Sequence, residues 1–227
     1  LSGMLAPAGT ADEDARFKAT HTTARFKDQA AVQAAWSHVR DARTATVTAV
    51  EKRSRTTRPP APFNTTSLQT AAASEGISPA RTMRLAESLY MDGLISYPRV
   101  DNTVYPKSLD LRGCVRTLSQ VPQYRAACRE LLDAGPLHAT RGKQETTDHP
   151  PIYPTAAADP GKLEGAAWKL YNLIARRFLA TLSQASVSEG TKVAFDVSGE
   201  PFSASGTVLV KPGFRAIYPY GLRKDEQ

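Results

Sequence analysis

The spacing of hydrophobic positions changes along the chain and divides it into strands, then helices, then strands. Residues 14–27 carry Phe17 and Phe26 among polar neighbours and are predicted to be extended. Val32–Val39 reads as a helix with Ala34, Ala35 and Trp36 as its apolar surface. Arg43–Glu51 alternates and is rich in threonine and valine, which predicts a strand. Lys52–Arg58 follows with four basic residues and no acid, readable as a solvated linker or as phosphate contacts. Pro59, Pro60 and Pro62 then end what precedes them, because proline offers no N–H and fixes its own φ.

A helical section comes next. Asn64–Ser67 supplies capping oxygens before Leu68–Ala73, and Gly76 closes that helix. Ser78-Pro79 opens a second helix whose buried face is predicted as Met83, Leu85, Ala86, Leu89 and Tyr90, and Gly93 ends it. Two short helices joined at a glycine turn have the outline of a helix-turn-helix unit. Leu109–Leu118 and Gln123–Leu132 read as further helices, and residues 136–165 as loop. Ala166–Ser183 is the strongest helix, with Trp168, Leu170, Tyr171, Ile174, Phe178 and Leu179 apolar. Thr191–Val197 and Phe202–Val210 form a hairpin across Ser198–Pro201. The expected class is α+β and multi-domain, a helical domain inserted between β segments that meet in one sheet. The expected boundaries are 1–58 and 190–227 for the β segments, 59–165 for the helical domain and 166–189 for a helix of a neighbouring domain.

Composition adds a partner class. The 227 residues carry a net charge of +7 and a pI near 9.5, which favours a polyanion, usually nucleic acid. Cys114 and Cys128 lack CxxC spacing, so neither a zinc site nor a disulfide framework is expected, and free thiols suit a reducing compartment. No stretch is apolar enough to span a membrane. No glycine-rich loop resembles a nucleotide-binding P-loop, and no acidic cluster resembles a metal site.

The chemistry concentrates in Gly93–Asn102. Tyr97 offers a phenol that becomes a nucleophile near a cation or base, and Arg99 offers a guanidinium suited to phosphate oxygens. Asp101 is placed to orient Arg99 or take a proton. His149 lies on a loop stiffened by Pro150, Pro151 and Pro154 and is able to donate a proton or a hydrogen bond. Arg58, Arg81, Arg84, Arg176 and Arg177 read as phosphate contacts or solvated charges. Taken alone, the same residues also fit an ordinary helix exit and a plain loop histidine.

Four blocks in order then resemble type IA DNA topoisomerases. Pro60–Gln69 is similar to that family's entry into its helical gate domain. Thr82-Met83, Ala86, Leu89-Tyr90 and Gly93–Arg99 resemble its active-site block, Asp148–Thr155 its histidine loop, and Leu170–Ala180 the helix that follows. Phe17–Ala19 and Phe26-Lys27 match a preceding strand. Ser96 stands where many members have threonine, and Pro98 with Val100–Pro106 looks closer to archaeal sequences.

The resemblance implies that Tyr97 is the nucleophile that forms a 5′-phosphotyrosyl bond, with Arg99 beside the scissile phosphate and His149 contacting DNA near it. It implies DNA contacts at Ser96, Asp101, Arg58, Arg81, Arg84, Arg176 and Arg177, a monomer, a preference for single-stranded segments, and a cytoplasmic, nucleoid-associated location. It implies ATP-independent relaxation of negative supercoils. Mg2+ is the implied cofactor, held by an acidic Toprim domain with no counterpart here, so the chain is expected to be an internal fragment that does not complete the cycle alone. A tyrosine recombinase is disfavoured because Tyr97 precedes His149. A non-catalytic DNA-binding module with a helix-turn-helix-like unit is the alternative.

Overall fold

The computed structural model describes residues 1–10, 12–163 and 165–220. Its chain divides into two units. Leu1–Arg55 and Ser188–Val210 make the first, and Thr56–Val187 with residues 211–220 makes the second. The main segment of the second unit, Thr56–Val187, is therefore inserted, in sequence, into the first.

Strands β1 (Ser2–Leu5), β2 (Phe17–His21), β3 (Thr46–Thr57), β4 (Ser186–Val197) and β5 (Glu200–Lys211) form a five-stranded sheet ordered β1-β2-β5-β4-β3. β2 pairs antiparallel with both β1 and β5. The β4–β5 turn holds Ser198 at φ 53° and Gly199 at φ 87°, the two left-handed residues that a tight hairpin requires. Ala19, Phe195 and Phe202 are buried at the centre of a small core, with Phe17, Val39 and Val193 packed on them. Helix α1 (Gln29–Val39) is capped by Asp28, whose carboxylate accepts from Ala31 N–H at 2.8 Å. It buries only Ala35, and Trp36, expected on the apolar side, is 47% exposed.

A polar clasp supports this thin core. The Glu200 carboxylate meets His21 Nε2 at 3.0 Å and His38 Nδ1 at 2.8 Å. The His21 ring is buried, lies edge-on to Phe202, and its Nδ1 accepts from Thr23 N–H at 3.0 Å. Nδ1 as acceptor places the proton on Nε2, which donates to Glu200.

Several sequence expectations change here. β2 is shorter than residues 14–27, β1 is an additional strand, and the basic run Lys52–Arg58 lies mostly within β3 rather than in a linker. β3 is exposed from Thr46 to Thr56, and its charges keep an edge strand solvated. Residues 221–227 of the expected second β segment lie outside the described residues.

The helical unit holds α2 (Thr65–Ser74), α3 (Pro79–Met91), α4 (Leu111–Leu118), α5 (Arg125–Asp133) and α6 (Gly165–Leu182). Phe63, Leu68, Tyr124, Ile152, Leu170, Tyr171 and Phe178 are fully buried in one core. The boundaries assigned from sequence put α6 in a neighbouring domain, but its buried face lies in the core shared with α2–α5. Tyr171 shows why: its hydroxyl donates to Ala156 O at 2.6 Å and accepts from Ala158 N–H at 3.2 Å, tying α6 to the preceding loop. α2 and α3 end alike, with Gly76 at φ 81° and Gly93 at φ 71°. Ile77 N–H reaches Ala72 O and Leu94 N–H reaches Leu89 O, both at 2.9 Å. That six-to-one bond over a left-handed glycine stops a helix sharply and turns the chain back onto it.

Candidate active site

The turn at Gly93 delivers Leu94–Asn102 to the surface of the helical unit, and three side chains fix that segment. Ser96, buried, donates to Pro151 O and accepts from Tyr153 N–H, each at 3.0 Å. Thr65, the first residue of α2, donates to Pro98 O at 2.8 Å and accepts from Val100 N–H at 2.9 Å. Asn102, 4% exposed, donates to Thr146 O at 2.9 Å and His149 O at 3.0 Å.

The proline-rich loop is laid alongside as short extended pairings. Ile95 bridges Pro154 and Phe63 bridges Ile152, both antiparallel. Ser96 N–H donates to Tyr153 O at 2.9 Å, Thr155 N–H to Leu94 O at 3.0 Å, and Ile152 N–H to Phe63 O at 2.8 Å. Pro150, Pro151 and Pro154 have no N–H to satisfy, so the loop needs few partners to stay extended.

This pairing brings Tyr97 and His149 together from 52 positions apart. Their ring centroids are 4.8 Å apart and tilted by 48°. Tyr90 meets the Tyr97 ring edge-on at 5.4 Å. Tyr90, expected on the buried face of α3, is 42% exposed, because its ring packs outward against Tyr97. Tyr97 is half-buried, and its hydroxyl has no hydrogen-bond partner among the described residues. The phenol is held at its ring and free at its reacting atom.

Arg99 is exposed and paired with Glu87 of α3: its Nε donates at 2.9 Å, and a second guanidinium N–H reaches the same oxygen. An exposed pair of this kind is worth about 0–1 kcal/mol, so a phosphate competes for the guanidinium at little cost. Asp148, beside His149, accepts from Thr146 Oγ1 at 2.5 Å, and that hydrogen bond holds its carboxyl below its ordinary range. The Asp101 backbone carbonyl accepts from Asn64 Nδ2 at 3.4 Å. Asp101 also lines an open groove of about 620 Å³ with Asn64, Ser67, Thr70, Gln144 and Arg177.

The remaining expected contacts separate into two groups. Arg58, Arg81 and Arg84 are exposed, and no partner holds their guanidinium groups among the described residues. Arg176 and Arg177 are engaged within the chain. Arg176 donates to Asn172 Oδ1 at 3.0 Å and Ile217 O at 2.9 Å. Arg177 donates to Ala61 O at 2.8 Å and lies over the Phe63 ring at 4.4 Å and the Tyr218 ring at 5.2 Å. Ser96 likewise spends its hydroxyl inside the chain. It joins two loops.

Sequence reasoning missed Thr65 and Asn102 as parts of this site, and Glu87 as the partner of Arg99. Thr65 carried a signal only as a cap, and Asn102 only as a polar residue between Val100 and Val104. Among the described residues no group of three or more His, Cys, Asp or Glu side chains is arranged to hold a metal ion. The residues present therefore do not fit the implied magnesium, and no step is derived through it. No described helix is long and apolar enough to cross a membrane.

The chain is similar to known proteins. The family model described as DNA topoisomerase matches residues 7–227. DNA topoisomerase 1 of Archaeoglobus fulgidus is 44% identical over 168 residues, covering 74% of this chain and 25% of the relative. Human DNA topoisomerase 3-beta-1 is 35% identical over 177 residues, covering 78% of this chain and 20% of its own length. Full-length topoisomerase I from Thermotoga maritima shares the fold, with a TM-score of 0.64 and 22% identity over 93% of this chain and 35% of that one. The chain thus spans about a quarter or less of the length of these two curated relatives. The chain belongs to the DNA topoisomerase family, and the type IA resemblance read from its sequence is borne out.

Proposed function

We propose that this chain carries the strand-breaking tyrosine of a type IA topoisomerase, and that Tyr97 is the nucleophile. The observation that carries the reading is the Tyr97–His149 pairing at 4.8 Å, with Arg99 two residues on. The phenol gives up its proton to solvent as its oxygen attacks the phosphorus of a single-stranded DNA phosphodiester. The P–O3′ bond breaks, a 5′-phosphotyrosyl bond forms, and the 3′ oxygen leaves as a hydroxyl after taking up a proton. The reverse attack by that hydroxyl reseals the strand. One phosphate ester is exchanged for another, so ATP is not required, and passage of a second strand through the break relaxes negative supercoils.

Arg99 leaves Glu87 and binds the non-bridging phosphate oxygens, where it stabilises charge as the pentacoordinate state forms. His149 supplies a hydrogen bond to the phosphate from beside the phenol. Arg58, Arg81 and Arg84 contribute sequence-independent attraction to the strand. Magnesium is supplied from outside the described residues, and the protein acts as a monomer. Cys114 and Cys128 are free thiols, which suits a reducing, nucleoid-associated setting in the cytoplasm.

Covalent trapping tests the reading. The protein at its natural length is incubated with labelled single-stranded oligonucleotide and magnesium, then denatured. The expected result is a labelled adduct that disappears in Tyr97→Phe. Retention of the adduct in that variant, or its absence from the wild type, removes the proposal and favours a non-catalytic module that uses α2 and α3 to bind DNA.

A further inference from the structure

We propose that Asn102 is a positioning residue that holds His149 against Tyr97 through its primary amide. The inference rests on the reading of Tyr97 and His149 given above. The two protons of Asn102 Nδ2 go to two carbonyls of one loop, Thr146 O at 2.9 Å and His149 O at 3.0 Å. Its Oδ1 accepts from Val104 N–H at 3.0 Å, which fixes the orientation of the amide. The side chain is 4% exposed, so these bonds are sheltered from competing water.

Little else holds this part of the loop. Residues 146–149 are all exposed, and the bond between Thr146 and Asp148 is internal to them. Among the described residues the His149 imidazole has no hydrogen-bond partner; it packs against the Tyr97 ring, with the Asp148 carboxylate beside it. The His149 N–H turns to the exposed Asp148 carboxylate of the same loop, and Pro150 has no N–H, so the carbonyl of His149 is where the loop is tied to the segment that bears Tyr97. Asn102 grips that carbonyl from one end of the segment that bears Tyr97. Ser96 grips Pro151 and Tyr153 from the other end. Nucleophile and imidazole are thereby fixed to one another. Only a primary amide can do this: an aspartate of the same shape accepts but does not donate, and a serine donates once.

The test compares single-turnover cleavage with oligonucleotide affinity in the protein at its natural length, using magnesium and a labelled single strand. Asn102→Ala and the isosteric Asn102→Asp are expected to cleave about tenfold more slowly, with affinity within about threefold of wild type. His149→Ala is expected to be at least as slow as Asn102→Ala, and the double variant Asn102→Ala/His149→Ala no slower than His149→Ala alone. Thr103→Val is the control, since Thr103 ties the same loop at Gln144 by bonds of 2.9 and 3.0 Å, away from His149. It is expected to cleave within about threefold of wild type.

Wild-type cleavage by Asn102→Asp, an additive double variant, full activity in His149→Ala, or equal slowing by Thr103→Val would each overturn the inference while leaving Tyr97 as nucleophile. An adduct that persists in Tyr97→Phe overturns the parent reading instead.

Discussion

The helical unit and the sheet unit hold their backbones still by different means. In the helical unit, loops lie against a deep core in which Phe63, Leu68, Ile152 and Phe178 are fully buried. Buried polar side chains such as Ser96 and Asn102 then staple one loop to another. In the sheet unit, the core centres on Ala19, Phe195 and Phe202, and β3 is almost wholly exposed. What supplements that core is a charge: Glu200 between His21 and His38. Apolar burial and amide bonds do not titrate with pH, whereas a carboxylate clasp fails when it is protonated. The candidate chemistry sits in the unit with the deeper core, where buried amide and hydroxyl bonds hold the loops and the exposed Asp148 carboxylate adds one ionised contact beside His149. A nucleophile that must meet a phosphate repeatedly at one angle needs that kind of support.

The sharpest way to break this comparison is at Tyr97. Tyr97→Phe is expected to abolish the covalent adduct while leaving the unfolding curves of both units unchanged, since the ring contacts with Tyr90 and His149 remain. Arg177→Ala is expected to destabilise the helical unit by about 2 kcal/mol in urea, because it removes the stacking on Phe63 and leaves Ala61 O without its donor. Oligonucleotide affinity should hold; a fall in affinity at constant stability would show that this arginine reads phosphate after all.

A smaller effect separates the units by pH. Hydrogen bonds from His38 first, and then from His21, hold the Glu200 carboxyl below its ordinary value of 4.5. A carboxyl depressed in the folded state stabilises fully above its unfolded value, and that stability is lost as pH falls through the folded one. Below about pH 4.5, amide exchange in β2 and β5 is expected to quicken before exchange in α6, and Glu200→Gln is expected to flatten that dependence. Equal acid sensitivity in the two units would erase the contrast.

The smallest expected change is in salt dependence. Replacing Arg58, Arg81 and Arg84 by glutamine should lower the slope of log affinity against log salt by about 0.7 for each phosphate that is no longer neutralised on a single strand, with no shift in melting temperature.

Local rules made much of the fold legible. Asn64 as a cap, Pro79 at a first helical turn, and Gly76 and Gly93 as helix ends all act over four or five residues, so their partners lie within the same stretch of sequence. The basic run after Glu51 was ambiguous because charge alone does not distinguish a linker from an edge strand; pairing with β4 decides it. The arginines of α6 were ambiguous for a related reason. Arg176 and Arg177 look like a cationic pair on a helix, but their partners are carbonyls at Ile217 and Ala61, 41 and 116 positions away.

By itself, then, the sequence determined the order of strands and helices, the basic balance, and a tyrosine and arginine two residues apart at a helix exit. Its ordered blocks also placed that pair within a family. It did not determine that the pair is held in register with a histidine. Only the tertiary structure decided that, because Thr65, Ser96 and Asn102 act on backbone carbonyls and N–H groups, which no side-chain pattern marks. It also decided which arginines are already engaged within the chain. A guanidinium that already meets a carbonyl and an aromatic face has fewer donors left for a phosphate, and those contacts arise only when distant segments pack.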